Sequence, residues 1–146
     1  MNAIIAVCPQ CRTKNRIPAA KQHLHPRCGK CRAVLSLAES AVPVELEDRT
    51  FADFIKQVDL PIMVDFFSPT CGPCRMLAPT IDALARKLVG RAVIAKIDTS
   101  RHQITAARYR IGGVPTLLFF KNGRLADQVV GAAPEQQLMQ KLNQLL

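Results

Sequence analysis

Ile62-Met63-Val64-Asp65-Phe66-Phe67-Ser68-Pro69-Thr70-Cys71-Gly72-Pro73-Cys74 is the stretch on which the fold turns. Its near-continuous apolar start suits a central strand covered on both faces, with Pro61 ahead of it at a position proline tolerates. Beyond the turn, Met76, Leu77, Ile81, Leu84, Ala85 and Leu88 recur at helical spacing, so Cys71 opens a long inward-facing helix. Pro79 inside that helix removes one backbone donor and is expected to kink it. Two thiols separated by two residues thus lie where a buried strand meets a helix. Free N–H groups and the positive end of the helix dipole favour the thiolate of Cys71, lowering its pKa. Gly72 and Pro73 make the entry tight and stiff. Cys74, one turn on and facing inward, is placed to resolve a mixed disulfide. The competing reading, a structural disulfide or half of a metal site, has no need of this strand-to-helix context.

Working outward, 92–97 reads as the next strand, and strand, helix and strand in succession imply a right-handed crossover with parallel neighbours. A short helix follows over 104–109. The spacing then predicts a strand over 115–121, a turn at Asn122-Gly123 and a return strand over 125–130, an antiparallel hairpin. Pro134 opens a last helix that turns Leu138, Met139, Leu142 and Leu145 inward. Upstream, Val44 and Leu46 alternate as a short strand. Asp48 or Thr50 caps a helix carrying Phe51, Phe54, Ile55 and Val58 on one face. The expected architecture over 41–146 is α/β, a mixed central sheet flanked by helices, with 36–43 as a linker.

Residues 1–40 read differently. Cys8-Pro9-Gln10-Cys11 and Cys28-Gly29-Lys30-Cys31 are separated by sixteen residues, the spacing of a four-cysteine zinc ribbon. A module this small buries little apolar surface, so metal binding supplies most of its folding free energy. Four protein ligands leave no open coordination position, so the expected ion is one structural zinc. His23 and His25 lie between the knuckles and are read as loop residues, not ligands.

Of the formal charge of +9, residues 1–40 contribute +6, with seven Lys or Arg against Glu39 alone. Zinc thiolates offset part of this, leaving a mildly basic module that is diagnostic of neither nucleic acid nor an acidic partner. The six cysteines form three Cys-x-x-Cys pairs with none over, and in a reducing compartment such pairs indicate metal ligation and redox chemistry. The apolar run 3–7 is far too short to span a membrane and has no cleavage-site pattern. The expectation is therefore a soluble cytoplasmic protein, monomeric, with no membrane partner.

Residues from about 44 onward resemble the thioredoxin family. The resemblance rests on Val64-Asp65-Phe66-Phe67, Cys71-Gly72-Pro73-Cys74, Pro79, Lys96-Ile97-Asp98, Gly113-Val114-Pro115-Thr116, Phe120-Lys121-Asn122-Gly123 and Val130-Gly131, in that order. With the N-terminal knuckles, the whole chain is similar to the ribbon-bearing second thioredoxins of bacteria. The resemblance implies a thioredoxin fold and reduction of disulfides in client proteins, with electrons from an NADPH-dependent thioredoxin reductase and no organic cofactor bound. It implies a client-binding surface of Gly72, Pro73, Val114, Pro115, Thr116 and Gly131. Thr70 stands where the family usually has Trp, and Phe67 matches a second family Trp; the chain has no Trp at all.

Two residues are open to alternatives on sequence grounds. Asp65 interrupts the most apolar strand. If buried, its pKa is raised and it can accept the proton of Cys74; alternatively it points outward from a strand end. The resemblance favours the buried base and names Lys96 as its electrostatic partner. Pro115 is either a trans proline starting a strand or, as the resemblance implies, a cis proline presenting a backbone edge to substrate. Arg75 either adds to the positive field or is solvated.

A different class of function is a basic ribbon that recruits nucleic acid or an acidic protein. Residues 1–40 lack the interleaved aromatics that stack on bases, so nucleic acid is not an expected partner. A third reading has oxidants convert the ligating thiolates to disulfides and release zinc, making the ribbon a redox sensor.

Overall fold

The computed structural model describes residues 3–18, 21 and 24–146. Among these the order is β1 (Ala3–Val7), β2 (Lys14–Pro18), α1 (Leu37–Ser40), β3 (Ala41–Val42), β4 (Val44–Leu46), α2 (Asp48–Gln57), β5 (Ile62–Phe67), α3 (Gly72–Lys87), β6 (Val93–Asp98), α4 (Gln103–Arg108), β7 (Thr116–Lys121), β8 (Arg124–Val130) and α5 (Glu135–Asn143). The larger sheet runs β4-β6-β5-β7-β8. Its β4, β6 and β5 are parallel, and β7 and β8 return antiparallel around Asn122-Gly123. Positive φ at both turn residues, 53° and 78°, is what so tight a hairpin turn needs, and Asn and Gly adopt it at least cost.

The period of two along β5 sorts the core. Ile62, Val64 and Phe66 pack with Phe51, Ile55 and Val58 on the α2 side. Met63 packs with Leu77, Ile81 and Leu84 of α3 and with Leu138 and Leu142 of α5. Asp65, two residues on, therefore shares the α3 face. Phe51 lies within 5.5–5.9 Å, centroid to centroid, of Phe66, Tyr109 and Phe120 in tilted and edge arrangements. Burying each such side chain contributes roughly 1.5–3 kcal/mol.

Several local expectations are corrected. The N-cap of α2 is Glu47, in a reciprocal capping box with Thr50. Asp48 instead accepts hydrogen bonds from the Ile104 and Thr105 N–H groups at 3.3 and 2.7 Å, tying the start of α4 to α2. Asp48→Ala strands those donors and is expected to cost about 1 kcal/mol, read as a lower urea midpoint at unchanged slope. Met76 is 83% exposed, because it lies about 100° around the helix from Leu77, off the stripe on which Cys74, Leu77, Ile81 and Leu84 are buried. Helix α3 continues through Pro79 to Lys87.

The stretch read as a linker is also structured. Within it, α1 and β3 form, and β3 pairs with β1 through Ile5↔Val42 and Ala6↔Ala41. Leu35 and Ala41 join Ile4, Ala6 and Ile17 in a small second core. Strand β1, the short apolar run, is the middle strand of the sheet β2-β1-β3. Val89, just past α3, packs against that core, so the ribbon rests on the C-terminal end of this helix. Composition alone concealed this, since Ser, Ala, Glu and Pro look alike in a linker and in a short capped element.

Candidate active site and metal centre

Cys71 is the N-cap of α3, in extended conformation (φ −83°, ψ 116°), and its sulfur accepts a hydrogen bond from the Cys74 N–H at 3.1 Å. The two cysteines are joined as a disulfide with Cα atoms 5.2 Å apart. Cys71 is half-buried, and Cys74 is 4% exposed. The first sulfur is therefore the more reachable of the two. The Cys71 sulfur lies 3.6 Å from the Val114 carbonyl oxygen.

Val114-Pro115 is a cis peptide bond. Gly131 N–H donates to the Pro115 carbonyl at 2.8 Å, and the Thr116 hydroxyl donates to the Gly113 carbonyl at 2.7 Å, so the loop is braced from both sides. Gly131 does this at φ +90°, which favours glycine. Gly72, Pro73, Val114 and Gly131 reach the surface around the sulfur. Pro115 is buried, and Thr116 is set back at 3% exposure with its backbone paired to Phe66 and Val130. Thr116 is thus a brace and offers no free edge to a partner. Met76 and Val130, at 83% and 70% exposure, add apolar surface that the sequence did not reveal.

Asp65 is buried at 4% exposure, and its Oδ1 has no hydrogen-bond partner among the described residues. Burial pushes its pKa up to about 7, with Lys96 pulling the other way. A cavity of about 110 Å³, room for water, is bounded by Asp65, Cys74 and Lys96. The outward-pointing alternative for Asp65 is excluded. Arg75 is exposed and lines the same cavity.

The ribbon sulfurs form the second cluster. Cys8, Cys11, Cys28 and Cys31 bring all four Sγ atoms within 4.8 Å of one another, with Cys8–Cys31 and Cys11–Cys28 at 3.5 Å. Tetrahedral zinc with bonds of about 2.3 Å needs sulfurs about 3.8 Å apart, so the donor set fits this ion. Two matching knuckles create it. Cys8 N–H donates to the Thr13 carbonyl and Arg12 N–H to the Cys8 carbonyl; Cys28 N–H donates to Ala33 and Arg32 N–H to Cys28, all at 2.8–2.9 Å. Arg12 and Arg32 close them at φ 66° and 67°. Asn15, which spacing gave no reason to single out, clamps the knuckles together. It accepts from Gly29 N–H at 2.9 Å and donates to the Thr13 carbonyl at 3.1 Å. His25 is exposed and outside the sulfur cluster, and His23 lies outside the described residues. No helix among the described residues is long and apolar enough to cross a membrane.

Comparison with known proteins agrees with both halves. Residues 42–144 match the family model described as Thioredoxin, and residues 7–33 match the one described as Thioredoxin 2, N-terminal. The chain is 36% identical over 143 residues to Thioredoxin C-3 of Corynebacterium nephridii, covering 98% of this chain and 96% of that protein. It is 39% identical over 101 residues to a thioredoxin of Haemophilus influenzae, covering 69% of this chain and 94% of that one. Among solved structures, a point-mutant thioredoxin from Halobacterium salinarum superposes with a TM-score of 0.66 at 32% identity. That match covers 77% of this chain and 96% of the other. With a dithiol at the start of α3 and this likeness running nearly end to end, the chain belongs to the thioredoxin family of disulfide oxidoreductases.

Proposed function

We propose that this chain reduces disulfides in client proteins and is itself re-reduced by an NADPH-dependent thioredoxin reductase, in the cytoplasm. The observation that carries the reading is the placement of Cys71 at a helix start, beneath the Val114 edge, with Cys74 shielded behind it. The Cys71 thiolate attacks one client sulfur, and the other client sulfur leaves as a thiolate that takes up a proton. Asp65, reached through the shared cavity, accepts the proton of Cys74. The Cys74 thiolate then attacks the Cys71 sulfur and closes the internal disulfide, releasing the second client thiolate. Two electrons pass from the dithiol to the client, and the reductase restores them. Client backbone pairs with the Val114 edge, whose N–H no other group takes among the described residues.

One zinc ion is held by Cys8, Cys11, Cys28 and Cys31, and it supplies cross-linking of the two knuckles, not reactivity. The test is NADPH consumption by the full chain with a thioredoxin reductase and insulin. Sustained turnover is the expected result. No consumption, alongside normal reduction by dithiothreitol, would remove the reductase from the reading and leave the dithiol chemistry standing.

Asp65 gives a signed pH prediction. Its folded pKa is raised from 3.8 to about 7, so the folded state binds more protons than the unfolded state between these values. Stability contributed by this group is therefore full below its unfolded pKa and falls as pH rises through 7. Asp65→Asn removes that loss and is expected to stabilise the protein at pH 8 by up to about 4 kcal/mol, with little change at pH 3. The same variant resolves mixed disulfides more slowly, and the pH dependence of that step near 7 disappears. Urea titrations at the two pH values and stopped-flow kinetics check both halves.

A further inference from the structure

Three adjacent strands place charged side chains in one row. Glu45 of β4 is the register partner of Lys96 on β6, and Lys96 is the register partner of Asp65 on β5. In-register neighbours share a face, so all three stand on the α3 side of the sheet. The row continues into the ribbon, where Lys14 of β2 lies 3.2 Å from Glu45 Oε2. Lys96 Nζ lies 3.9 Å from Glu45 Oε1 and 5.5 Å from the centre of the Phe67 ring. The signs alternate: Lys14, Glu45, Lys96, Asp65. Lys96 is thus shared between a carboxylate it touches and a buried one it faces.

We propose that Glu45 is a positioning residue that holds the Lys96 ammonium away from Asp65 and thereby sets the proton affinity of the buried carboxyl, with Lys14 of the ribbon competing for Glu45. This rests on the reading of Asp65 as the base for Cys74 only where it touches turnover; the effect on Asp65 itself stands apart from that reading. Asp65 meets charge from few directions. On its own face it has Lys96; across β7 its register partner is Leu117. From α3, Cys74, Arg75 and Asp82 border the cavity it shares. Lys96 in turn borders a cleft of about 470 Å³ between ribbon and sheet, with Lys14, Arg16, Glu45, Glu47, Asp98, Arg101 and His102 in its walls. Of these, Glu45 alone is within ion-pair distance of Lys96.

The sign is what separates this from a merely structural contact. Losing Glu45 removes a negative charge two strands from Asp65 and frees Lys96 to approach it, and both effects lower the Asp65 midpoint. Losing Lys14 leaves Glu45 to Lys96 alone and removes a positive charge, and both effects raise it. Two strand spacings are about 10 Å, a distance at which one charge moves a midpoint by about half a unit in a partly solvated site. Glu45 is 60% exposed, so salt weakens its effect.

The experiment is an NMR titration of the Asp65 carboxyl carbon in the full-length, metal-bound, reduced protein at low ionic strength, alongside the pH profile of mixed-disulfide resolution. Glu45→Gln is expected to lower the midpoint by at least about half a unit, Lys14→Met to raise it by a smaller amount, and Lys96→Met to raise it and to reduce the response to Glu45→Gln to the direct effect of the lost charge. Glu45→Asp restores most of the native value. A midpoint that stays put or rises in Glu45→Gln overturns the proposal, as does a Lys14→Met midpoint that falls or does not move. If the midpoints move as expected while the resolution profile does not follow, the row stands and the base assignment of Asp65 fails.

Discussion

Cys71→Ser is expected to bring disulfide reduction down to the uncatalysed background, whereas Cys74→Ser keeps the first step and stops at the second. A serine hydroxyl forms no disulfide, so with position 71 altered no mixed disulfide exists to be resolved. With position 74 altered, the Cys71 thiolate still attacks, because its N-cap place on α3 and the N–H donors around it are untouched. The complex then persists, since Cys74 is the neighbour one helical turn away and the other four cysteines belong to the ribbon. Non-reducing gels should show one client bound per chain for Cys74→Ser and none for Cys71→Ser. Alkylation of the reduced wild type should mark Cys71 first, as Cys74 is 4% exposed. Full turnover by Cys71→Ser would sink the mechanism.

Chelating the zinc, or changing Cys28→Ser, is expected to unfold the ribbon and leave the sheet β4-β6-β5-β7-β8 standing. The ribbon's own core comprises Ile4, Ala6, Ile17, Leu35 and Ala41 with the buried Cys8 and Cys28, too little apolar surface to offset the ordering of some forty residues. Structural zinc in comparably small modules contributes about 10–16 kcal/mol of apparent binding free energy, all of it realised as folding. The larger sheet has two extensive cores of its own. Proteolysis after chelation should therefore cut within residues 3–42 and spare 44–146, and metal analysis of the untreated protein should return one zinc per chain. A ribbon that kept its protease resistance without metal would show that its side chains suffice.

Much of this was legible in the chain because it is local. Cys-x-x-Cys spacing twice over in a short stretch marks two knuckles, and the same spacing between the apolar run of β5 and the helical repeat of α3 marks a dithiol at a helix start. The core-facing residues of α2 and α5 follow from periodicity alone: Phe51, Ile55, Leu138 and Leu142 are all buried. What escaped is set by register and by long-range packing. Met76 belongs to the apolar run of α3 but points away from the stripe of Cys74, Leu77 and Ile81, so the sheet does not cover it. Glu45 reads as an ordinary exposed residue of an alternating strand, and only the pairing of β4 with β6 brings it to Lys96. Asn15 acquires its clamp from Gly29, fourteen residues away, once the knuckles have met. The burial of Asp65 was undecidable until the sheet had chosen its faces.

The ribbon is seated on α3 at the end opposite the reactive pair. This helix has 16 residues, about 24 Å from end to end, with the reactive pair at its beginning and Val89 and the ribbon beyond its close. A rod of that length sets the ribbon's apolar seat apart from Cys71, while β2 reaches back along the sheet edge through Lys14 to Glu45. Whatever loosens the ribbon is therefore felt at the reactive pair by two routes of different character, the stiff helix and the row of charges.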